Sequence, residues 1–464
     1  MKRMKSITRE IWVGFFCCGL LLGFSNKASA DDQHYQDFIV GDEAVGMGGA
    51  FTALSADPSG GWYNPAGIVD VRNTSLSLSA NLYGIQDSAV GSTDELMPED
   101  ALGKLTVVPS STGFVQALGR TDMHGRRPYA FGLSLMVPSY RKYSTHDEGE
   151  INDPIEGLVR YGYNRSYVDE TLWAGLMGAM RLGGRLSIGG AVFLVHRSVS
   201  DKATSFVAGD FIDGEFSAFH HATMDLEFFN DSLLAVLGAK LKLSNKLYVG
   251  AMVRSPSLTI YSRGQMRYGR ARSDGLGDVG FIPTPEGSKV KSESRINGEA
   301  RVGIAYVWPK VFKIAADVSA HLPVSYTLID VQDEAVANAL LIAPEVEREF
   351  VINGNLGVEF LFLDRFSVAM GGFTNFSSAP EIPGNQTLTA PAPARVHMFG
   401  GTFAAGYSSE HTLTRIGMLY ARGSGHDVQA VDPAGQLASQ EQTFTRVPLT
   451  QSYVYFFMSS TFRY

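Results

Sequence analysis

Beyond residue 70 the chain repeats one pattern, in which apolar and polar residues alternate over short segments that turn residues separate. Alternation with a period of two puts successive side chains on opposite faces, as in a half-buried β-strand. We predict fourteen such strands, at residues 71–85, 112–118, 129–137, 167–182, 185–196, 232–243, 247–261, 294–306, 311–322, 350–362, 365–373, 396–407, 411–420 and 453–462. An even count of antiparallel strands is typical of bacterial transmembrane barrels.

The connections between these strands alternate in length. Tight turns are predicted at 183–184, 244–246, 308–310, 363–364 and 408–410, and long polar loops at 197–231, 262–293 and 421–452. Short turns at one end and long loops at the other are typical of a transmembrane barrel, and a soluble β-sandwich has no reason for them. The sequence therefore predicts an all-β, antiparallel transmembrane barrel of about fourteen strands over residues 71–464.

The alternation also assigns a face to each side chain. In the predicted strand 311–322, Ile314 and Val318 share one face, and Lys313 and Asp317 share the other. The apolar face should meet lipid and the polar face the lumen. The lumen candidates are Arg254, Arg295, Glu299, Arg301, Lys313, Asp317, His321 and Arg415. We expect them to pair with one another or with a plug, since buried ionisable groups need partners; an unpaired cation would suit a carboxylate ligand.

Residues 1–30 have the organisation of a signal peptide. A basic start (Lys2, Arg3) precedes an apolar run of about fourteen residues, which is shorter than the roughly twenty that a spanning helix needs. The run Ala28-Ser29-Ala30 is a typical cleavage site. Both cysteines fall inside this segment, so we predict no disulfide and no cysteine metal site in the mature chain.

The mature chain is acidic. Residues 1–30 hold five Lys or Arg and one Glu, so the remainder carries 34 basic and 46 acidic residues and a net charge of −12. Such a charge argues against nucleic acid as a partner. The sequence contains no nucleophile elbow, zinc-protease motif or phosphate loop, and we predict neither an enzyme nor a cofactor. Adjacent residues His220 and His221 would face opposite sides of a strand, so no metal site is predicted there.

Residues 45–70, VGMGGAFTALSADPSGGWYNPAGIVD, do not follow the strand pattern. Gly48 and Gly49 allow another backbone to approach closely, because glycine has no Cβ. Pro65 fixes its own φ angle and keeps Asn64 out of the helical region. These residues predict a compact, turn-rich plug.

This stretch resembles the N-terminal hatch of the FadL/TodX family, outer-membrane channels that import long-chain fatty acids and other hydrophobic compounds. The matching residues are Gly46, Gly48, Gly49, Ala50, Phe51, Ala56, Asp57, Tyr63, Asn64, Pro65, Ala66 and Gly67; Pro58, Gly60 and Gly61 depart from the family pattern. The resemblance implies a plug over residues 31–70, inside the lumen, in a protein of the bacterial outer membrane. Gly48, Gly49, Phe51, Asn64, Pro65 and Ala66 are its predicted motif residues.

Two further features fit this resemblance. A predicted extracellular loop contains five apolar residues, four of them aromatic: Phe206, Phe211, Ile212, Phe216 and Phe219. They form either a ligand-capture surface or a local apolar core. Gly132 weakens the third strand and Pro138 cannot donate to a ladder. The family has an inward kink in this strand that opens the wall laterally, so Gly132 and Pro138 are lateral-gate candidates; otherwise Pro138 only ends the strand.

The chain ends in YVYFFMSSTFRY, with Phe456, Met458, Phe462 and Tyr464 on one face, which resembles the signal that barrels present to their assembly machinery. Its predicted partners are that machinery, outer-membrane lipid and a hydrophobic small molecule, and we expect a monomer. The predicted function is passive uptake of fatty acids or hydrocarbons through loop capture, lumen binding and plug or lateral gating. The alternative is an adhesin-like barrel with a permanently closed plug; a general porin is disfavoured because a plug blocks diffusion.

Overall fold

A computed structural model describes residues 34–71, 74–90, 104–122, 125–153, 157–210, 217–273, 279–283, 288–330, 345–384, 393–430 and 444–464. The predicted signal peptide lies outside the described residues. Two short helices, α1 (Asp42–Gly46) and α2 (Gly60–Tyr63), and a 3-10 helix (Pro65–Asp70) precede the strands. None of the described helices is long and apolar enough to cross a membrane.

The strands follow in the order β1 Thr74–Val90, β2 Lys104–Leu118, β3 Tyr129–Asp153, β4 Gly157–Leu182, β5 Leu186–Asp210, β6 Ser217–Lys242, β7 Leu247–Arg254, β8 Leu258–Ser273, β9 Val279–Pro283, β10 Ser288–Ser292, β11 Glu299–Trp308, β12 Phe312–His321, β13 Val324–Thr327, β14 Ile329–Asp330, β15 Glu345–Arg348, β16 Val351–Phe362, β17 Phe366–Asn375, β18 Arg395–Ser408, β19 Thr412–Ala430 and β20 Phe444–Arg463. Strands β13 and β15 form a separate two-stranded sheet, and all the others belong to one sheet.

That sheet is a closed barrel of fourteen antiparallel strands, as predicted. Strands β7 and β8 both pair with β6 and form one barrel strand. In the same way β9, β10 and β11 follow one another along β8 and β7, and β14 continues β12. The barrel closes where β1 pairs with β20, from Ser75 opposite Arg463 to Val90 opposite Leu449.

The predicted long loops are wrong in one respect, because much of their length is strand. In the predicted loop 197–231, β5 continues to Asp210 and β6 begins at Ser217. The predicted loop 421–452 likewise contains the end of β19 and the start of β20. Each hairpin can extend beyond the membrane, since two paired strands satisfy one another's N–H and C=O groups.

The outer surface has the apolar band that lipid requires. The exposed fractions of Val253, Val302 and Val318 are 55%, 57% and 56%, whereas their inward neighbours are buried. Aromatic side chains flank the band at the end of the barrel that carries the tight turns 183–185, 243–246, 309–311, 363–365 and 409–411, here called the turn end. The contacts of Trp308 with Phe312 and of Phe366 with Tyr407 belong to this aromatic girdle. The opposite end is called the hairpin end.

Residues 34–71, the N-terminal segment, pack against the inward face of the barrel and are nearly all buried. Phe51, Trp62 and Tyr63 belong to an apolar cluster that also includes Trp173 and Phe193 of the barrel wall. The largest apolar core thus lies between this segment and the wall.

Candidate functional site

The N-terminal segment lies directly on glycines of the wall, mostly through its backbone. At these glycines an added Cβ would fall closer than 3 Å to the segment. Measured from the position of the added Cβ, the nearest atom of the segment is Pro58 Cβ at 2.6 Å for Gly113, Ala66 N at 2.6 Å for Gly189, Asn64 Oδ1 at 2.1 Å for Gly238, Thr52 O at 2.3 Å for Gly250, Met47 O at 2.3 Å for Gly357 and Gly48 N at 2.2 Å for Gly371. Six strands therefore have glycine, and no side chain, at the position where the segment contacts them.

The motif glycines of the segment serve the same close contact. Gly48 and Gly49 have φ angles of +62° and +83°, which favour glycine. A Cβ on Gly48 would lie 2.8 Å from the backbone nitrogen of Gly372. Asn355 of the wall donates a hydrogen bond of 2.7 Å to the carbonyl of Gly48. This part of the segment is shaped to lie flat on β16 and β17.

Asn64 joins three chain segments. Its amide nitrogen donates to the carbonyls of Thr52, at 3.0 Å, and of Ala239 on β6, at 2.9 Å. Its amide oxygen accepts from the backbone nitrogen of Ala66 at 3.1 Å, which caps the 3-10 helix that Pro65 begins. The predicted Asn-Pro-Ala motif is a corner of the segment that is hydrogen-bonded to the wall.

The predicted lumen carboxylate Asp317 binds the segment through one oxygen. Its Oδ2 accepts from the backbone nitrogens of Phe51 and Thr52, both at 2.9 Å, and from the hydroxyl of Thr52 at 2.7 Å. A buried carboxylate with three donors holds the segment in one register on β12.

A second charged cluster binds α1 at the turn end. Lys313 contacts the carboxylate of Glu43 and lies 2.9 Å from that of Glu359. Arg415 lies 2.8 Å from Glu359 and 3.4 Å from Asp42. The prediction covered Lys313 and Arg415 but missed their acidic partners, of which Asp42 and Glu43 directly precede the motif stretch. Removing one partner of such a pair would leave an uncompensated buried charge, so the cluster ties α1 to the wall.

A third cluster lies on β7, β11 and β12. Glu299 is shared by Arg254 and Arg301, each at 2.8 Å, and His321 stacks on Tyr35 with ring centroids 4.7 Å apart. Arg295, predicted to face the lumen with these residues, does not join the cluster. Its side chain is 49% exposed and pairs with Glu293, because it lies between β10 and β11, outside the regular alternation. Among the residues that the structure describes, no three His, Cys, Asp or Glu side chains form a metal site.

The ladder between β2 and β3 ends before β3 does. It runs from Leu118 opposite Tyr129 to Ser111 opposite Met136, and no further pair joins these two strands within their described ranges. The register of β3 on β4 also shifts between Met136 and Ser139, around Pro138. Gly132 lies in regular ladder on both sides, so the irregularity is at Pro138 and not at Gly132.

The start of the N-terminal segment fills the inner side of this break. The backbone nitrogens of Asp37 and Phe38 donate to the carbonyl of Pro138, both at 3.3 Å. Arg141 donates to the carboxylate of Asp37 at 2.9 Å, and Phe38 packs on Val137. Sequence reasoning missed Asp37 and Phe38, because they precede the recognisable motif.

The predicted capture residues can be placed only in part. Phe211, Ile212 and Phe216 lie outside the described residues. Phe206 and Phe219 are 42% and 37% exposed on the outer face of the β5–β6 hairpin. Val207, on the opposite face, packs with Val159 and Tyr161. The hairpin thus has both an exposed aromatic face and a small apolar core.

No protein-family model matches the chain, and the comparison with curated proteins returns no match. Among solved structures, 93% of the chain is similar to 99% of a FadL homologue of Pseudomonas aeruginosa, at 12% identity and a TM-score of 0.62. The toluene transporter TodX of Pseudomonas putida matches at 14% identity over 91% of this chain and 97% of its own, with a TM-score of 0.58. The monoaromatic hydrocarbon channel CymD matches at 12% identity over 92% of this chain and 97% of its own, with a TM-score of 0.54.

The fold thus defines the class as antiparallel transmembrane barrels of fourteen strands. Within that class the chain has the fold of FadL- and TodX-type channels, as the resemblance of residues 45–70 implied.

Proposed function

We propose that the chain is a bacterial outer-membrane channel through which hydrophobic molecules enter passively. The observation that carries this proposal is the apolar interior beside the break in the wall. Met136, Met177 and Phe193 project inward from β3, β4 and β5 and surround Gly61 within 3.0–3.5 Å of where its Cβ would be. A diffusion porin instead has a polar lumen.

The path follows from the barrel's two ends. Short turns face the periplasm in such barrels and the longer connections face outward, so the hairpin end is extracellular. A hydrophobic molecule adsorbs on the exposed face of Phe206 and Phe219, together with Phe211, Ile212 and Phe216, and moves into the apolar interior. Exchange between apolar surfaces avoids the hydration cost of about 0.8 kcal/mol per methylene, so no energy source is needed.

The N-terminal segment is the plug, and the break at Pro138 is the lateral exit. Loss of the hydrogen bonds from Asp37 and Phe38 to Pro138 would uncover the unpaired edge of β3 and open a way towards the membrane. Fold similarity to a toluene transporter and a hydrocarbon channel supports this cargo class. Because the barrel closes on itself where β1 pairs with β20, its sheet needs no second chain to complete it, which supports a monomer. The aromatic end of β20 supports recognition by the barrel assembly machinery.

Mass spectrometry of molecules extracted from the purified barrel tests the cargo. We expect fatty acids or hydrocarbons in amounts comparable to the protein, above those extracted from an unrelated barrel purified in the same detergent. Extracts that match those of the unrelated barrel would favour a surface protein with a permanently closed plug.

A further inference from the structure

One side of the barrel rim at the turn end is strongly basic. Three consecutive connections, 119–128, 183–185 and 243–246, join β2 to β3, β4 to β5 and β6 to β7. Counted with one flanking residue at each end, they contain six cations and one carboxylate among the described residues: Arg120, Arg126, Arg127, Arg185, Lys242, Lys246 and Asp122. This set, here called the basic arc, has a formal charge of +5, whereas the whole chain has −8.

Backbone hydrogen bonds join the three connections into one surface. The amide of Lys242 donates to the carbonyl of Arg185 at 2.8 Å and links the second connection to the third. The amide of Arg181, near the end of β4, donates to the carbonyl of Pro128 at 2.8 Å and links the first connection to the strand that leads into the second. The residues of the arc therefore follow one another along the rim.

Little of this positive charge is neutralised by the protein. Arg126 pairs with Asp122 at 3.0 Å. Arg120, Arg185 and Lys242 have no carboxylate partner in the part of the chain that the structure describes. The arc thus keeps cations that are available to an anion outside the protein.

The turns on the other side of the rim are neutral. Turns 309–311, 363–365 and 409–411 contain two cations and two carboxylates: Lys310, Arg365, Asp364 and Glu410. Lys310 and Asp364 pair with each other at 3.3 Å. The excess of positive charge therefore belongs to the arc and is not a general property of the rim.

The arc lies where the apolar outer surface of the barrel ends. Exposed apolar side chains flank its cations, and the exposed fractions of Leu118, Tyr129 and Leu243 are 45%, 51% and 47%. The ammonium of Lys246 lies 3.4 Å from the ring centroid of Trp308, which belongs to the aromatic girdle. Such girdles mark the level of the lipid head groups, where Lys and Arg keep their charged ends while their stems lie along apolar surface.

We propose that the basic arc binds the phosphates of anionic phospholipids, such as phosphatidylglycerol, in the periplasmic leaflet of the outer membrane. With the turn end on the periplasmic side, the arc meets a leaflet of phospholipid head groups. Clustered Lys and Arg at a membrane surface attract anionic lipids. Arginine adds paired N–H donors that match the oxygens of a phosphate, and lysine adds a point charge. The site fixes the barrel in its leaflet and does not depend on which molecule crosses the lumen.

Brominated lipids beside Trp308 report the lipid composition at one end of the arc. The barrel is reconstituted in phosphatidylcholine vesicles that contain the same small fraction of either dibrominated phosphatidylglycerol or dibrominated phosphatidylcholine. The quenching that is lost in Trp308→Phe reports this place, because Trp62 and Trp173 are buried. Phosphatidylglycerol should be enriched about three- to tenfold over phosphatidylcholine there. Raising the salt concentration should reduce the enrichment, because salt screens exposed charges.

The variant Arg185→Gln with Lys242→Gln removes two cations of the arc and leaves the contact of Lys246 with Trp308 in place. It should lower the enrichment of phosphatidylglycerol at least about twofold. Arg185→Lys with Lys242→Arg keeps both charges and should keep the enrichment.

The matched control is Lys310→Gln with Arg365→Gln, which removes two cations from turns outside the arc and should leave the enrichment unchanged. Three results would overturn the proposal: equal quenching by the two brominated lipids in the unmodified barrel, no effect of Arg185→Gln with Lys242→Gln, or an equal loss of enrichment in the control. Unchanged heat-modifiable gel migration verifies that each variant retains the barrel.

Discussion

At the scale of single residues, the N-terminal segment, which we propose as the plug and call the plug below, is held by side chains that bond both within the segment and to the wall. Asn64 donates to Thr52 within the segment and to Ala239 on the wall, and its oxygen caps the following 3-10 helix. No residue of another type offers this set of groups at that length. The Asn-Pro-Ala motif therefore fixes the shape of the plug and its register on β6 together.

Asn64→Ala should loosen the plug without unfolding the barrel. Two carbonyls and one backbone N–H lose their partner, at a cost of about 1–3 kcal/mol each where they stay buried. We expect leakage of small polar solutes, measured by liposome swelling, and unchanged heat-modifiable gel migration. Asn353→Ala is the matched control, because this wall asparagine bonds Phe376 and not the plug. Altered hydrophobic uptake without polar leakage would instead make Asn64 a gating residue.

Asp57 gives the plug a pH dependence. Burial, and next the charge of Asp42, raise the pKa of Asp57 from 3.8 to about 7. The native state thus holds this proton more tightly than the unfolded chain does, so stability is highest below about pH 4 and falls as the pH rises towards 7. Between pH 5 and 7, deprotonation of Asp57 lowers the free energy of unfolding by about 1.4 kcal/mol per pH unit.

The isosteric change Asp57→Asn removes the titrating carboxyl group and keeps a side-chain oxygen that can accept hydrogen bonds from Ser59. The midpoint of urea unfolding, followed by tryptophan fluorescence, should then depend less on pH between 5 and 7. Asp364→Asn, at a turn position with a side chain 67% exposed, is the control and should leave the slope unchanged. Identical slopes for the unmodified chain and Asp57→Asn would contradict the assignment.

At the scale of elements, six wall strands are fitted to the plug by the position of their glycines. β16 shows this within four residues: a Cβ on Gly357 would lie 2.3 Å from the carbonyl of Met47, whereas a Cβ on Gly354 would meet nothing within 4 Å. Gly357 is inward-facing opposite Ala315, and Gly354 is outward-facing opposite Val318. The same residue type therefore has a packing role at one site and none at the other.

Gly357→Ala should displace the plug from β16, since the carbonyl of Met47 is backbone and cannot move without the segment. We expect polar-solute leakage and faster protease cleavage within the N-terminal segment. Gly354→Ala, on the same strand, should behave as the unmodified chain does. Equal behaviour of the two variants would show that the plug is not in contact with this strand.

The role of the break between β2 and β3 as an exit is tested by cross-linking the plug to β3 beside it. Replacing Phe38 and Val137 by cysteine puts two thiols at a packed contact, and both natural cysteines lie in the predicted signal peptide. Cross-linking by disulfide, or by a short thiol-reactive reagent, should stop hydrophobic uptake, and reduction of the disulfide should restore it. Each single cysteine variant is the control. Uptake that is unaffected by the cross-link excludes an exit at Pro138.

Sequence alone predicted the strands well, because each barrel strand has lipid on one face and the lumen on the other. Val302 and Arg301 are an example, since their alternation is visible without any partner. Where strands leave the membrane that contrast weakens, which is why the paired parts of β5 and β6 beyond residue 196 looked like loop. Pairing inside the lumen was not predictable either: Glu359 meets Arg415 from a position 56 residues away, and periodicity does not report such contacts.

At the scale of the whole molecule, the protein combines a lipid-facing barrel, a hydrogen-bonded plug and an apolar interior that reaches a break in the wall. A porin shares the first of these features, and a surface-binding barrel could share the first two. Only a conduit for hydrophobic molecules uses the third. The central claim is therefore selective passage: hydrophobic molecules cross and small polar solutes do not.

The most direct measurement uses asymmetric vesicles with a lipopolysaccharide outer leaflet, which slows the entry of hydrophobic molecules, with and without the reconstituted barrel. Entry of radiolabelled palmitate and hexadecane is followed in parallel with swelling in arabinose. Selective passage predicts faster entry of at least one hydrophobic probe, in proportion to the protein, with swelling equal to that of protein-free vesicles. Arabinose-driven swelling together with unchanged entry of both hydrophobic probes would contradict it.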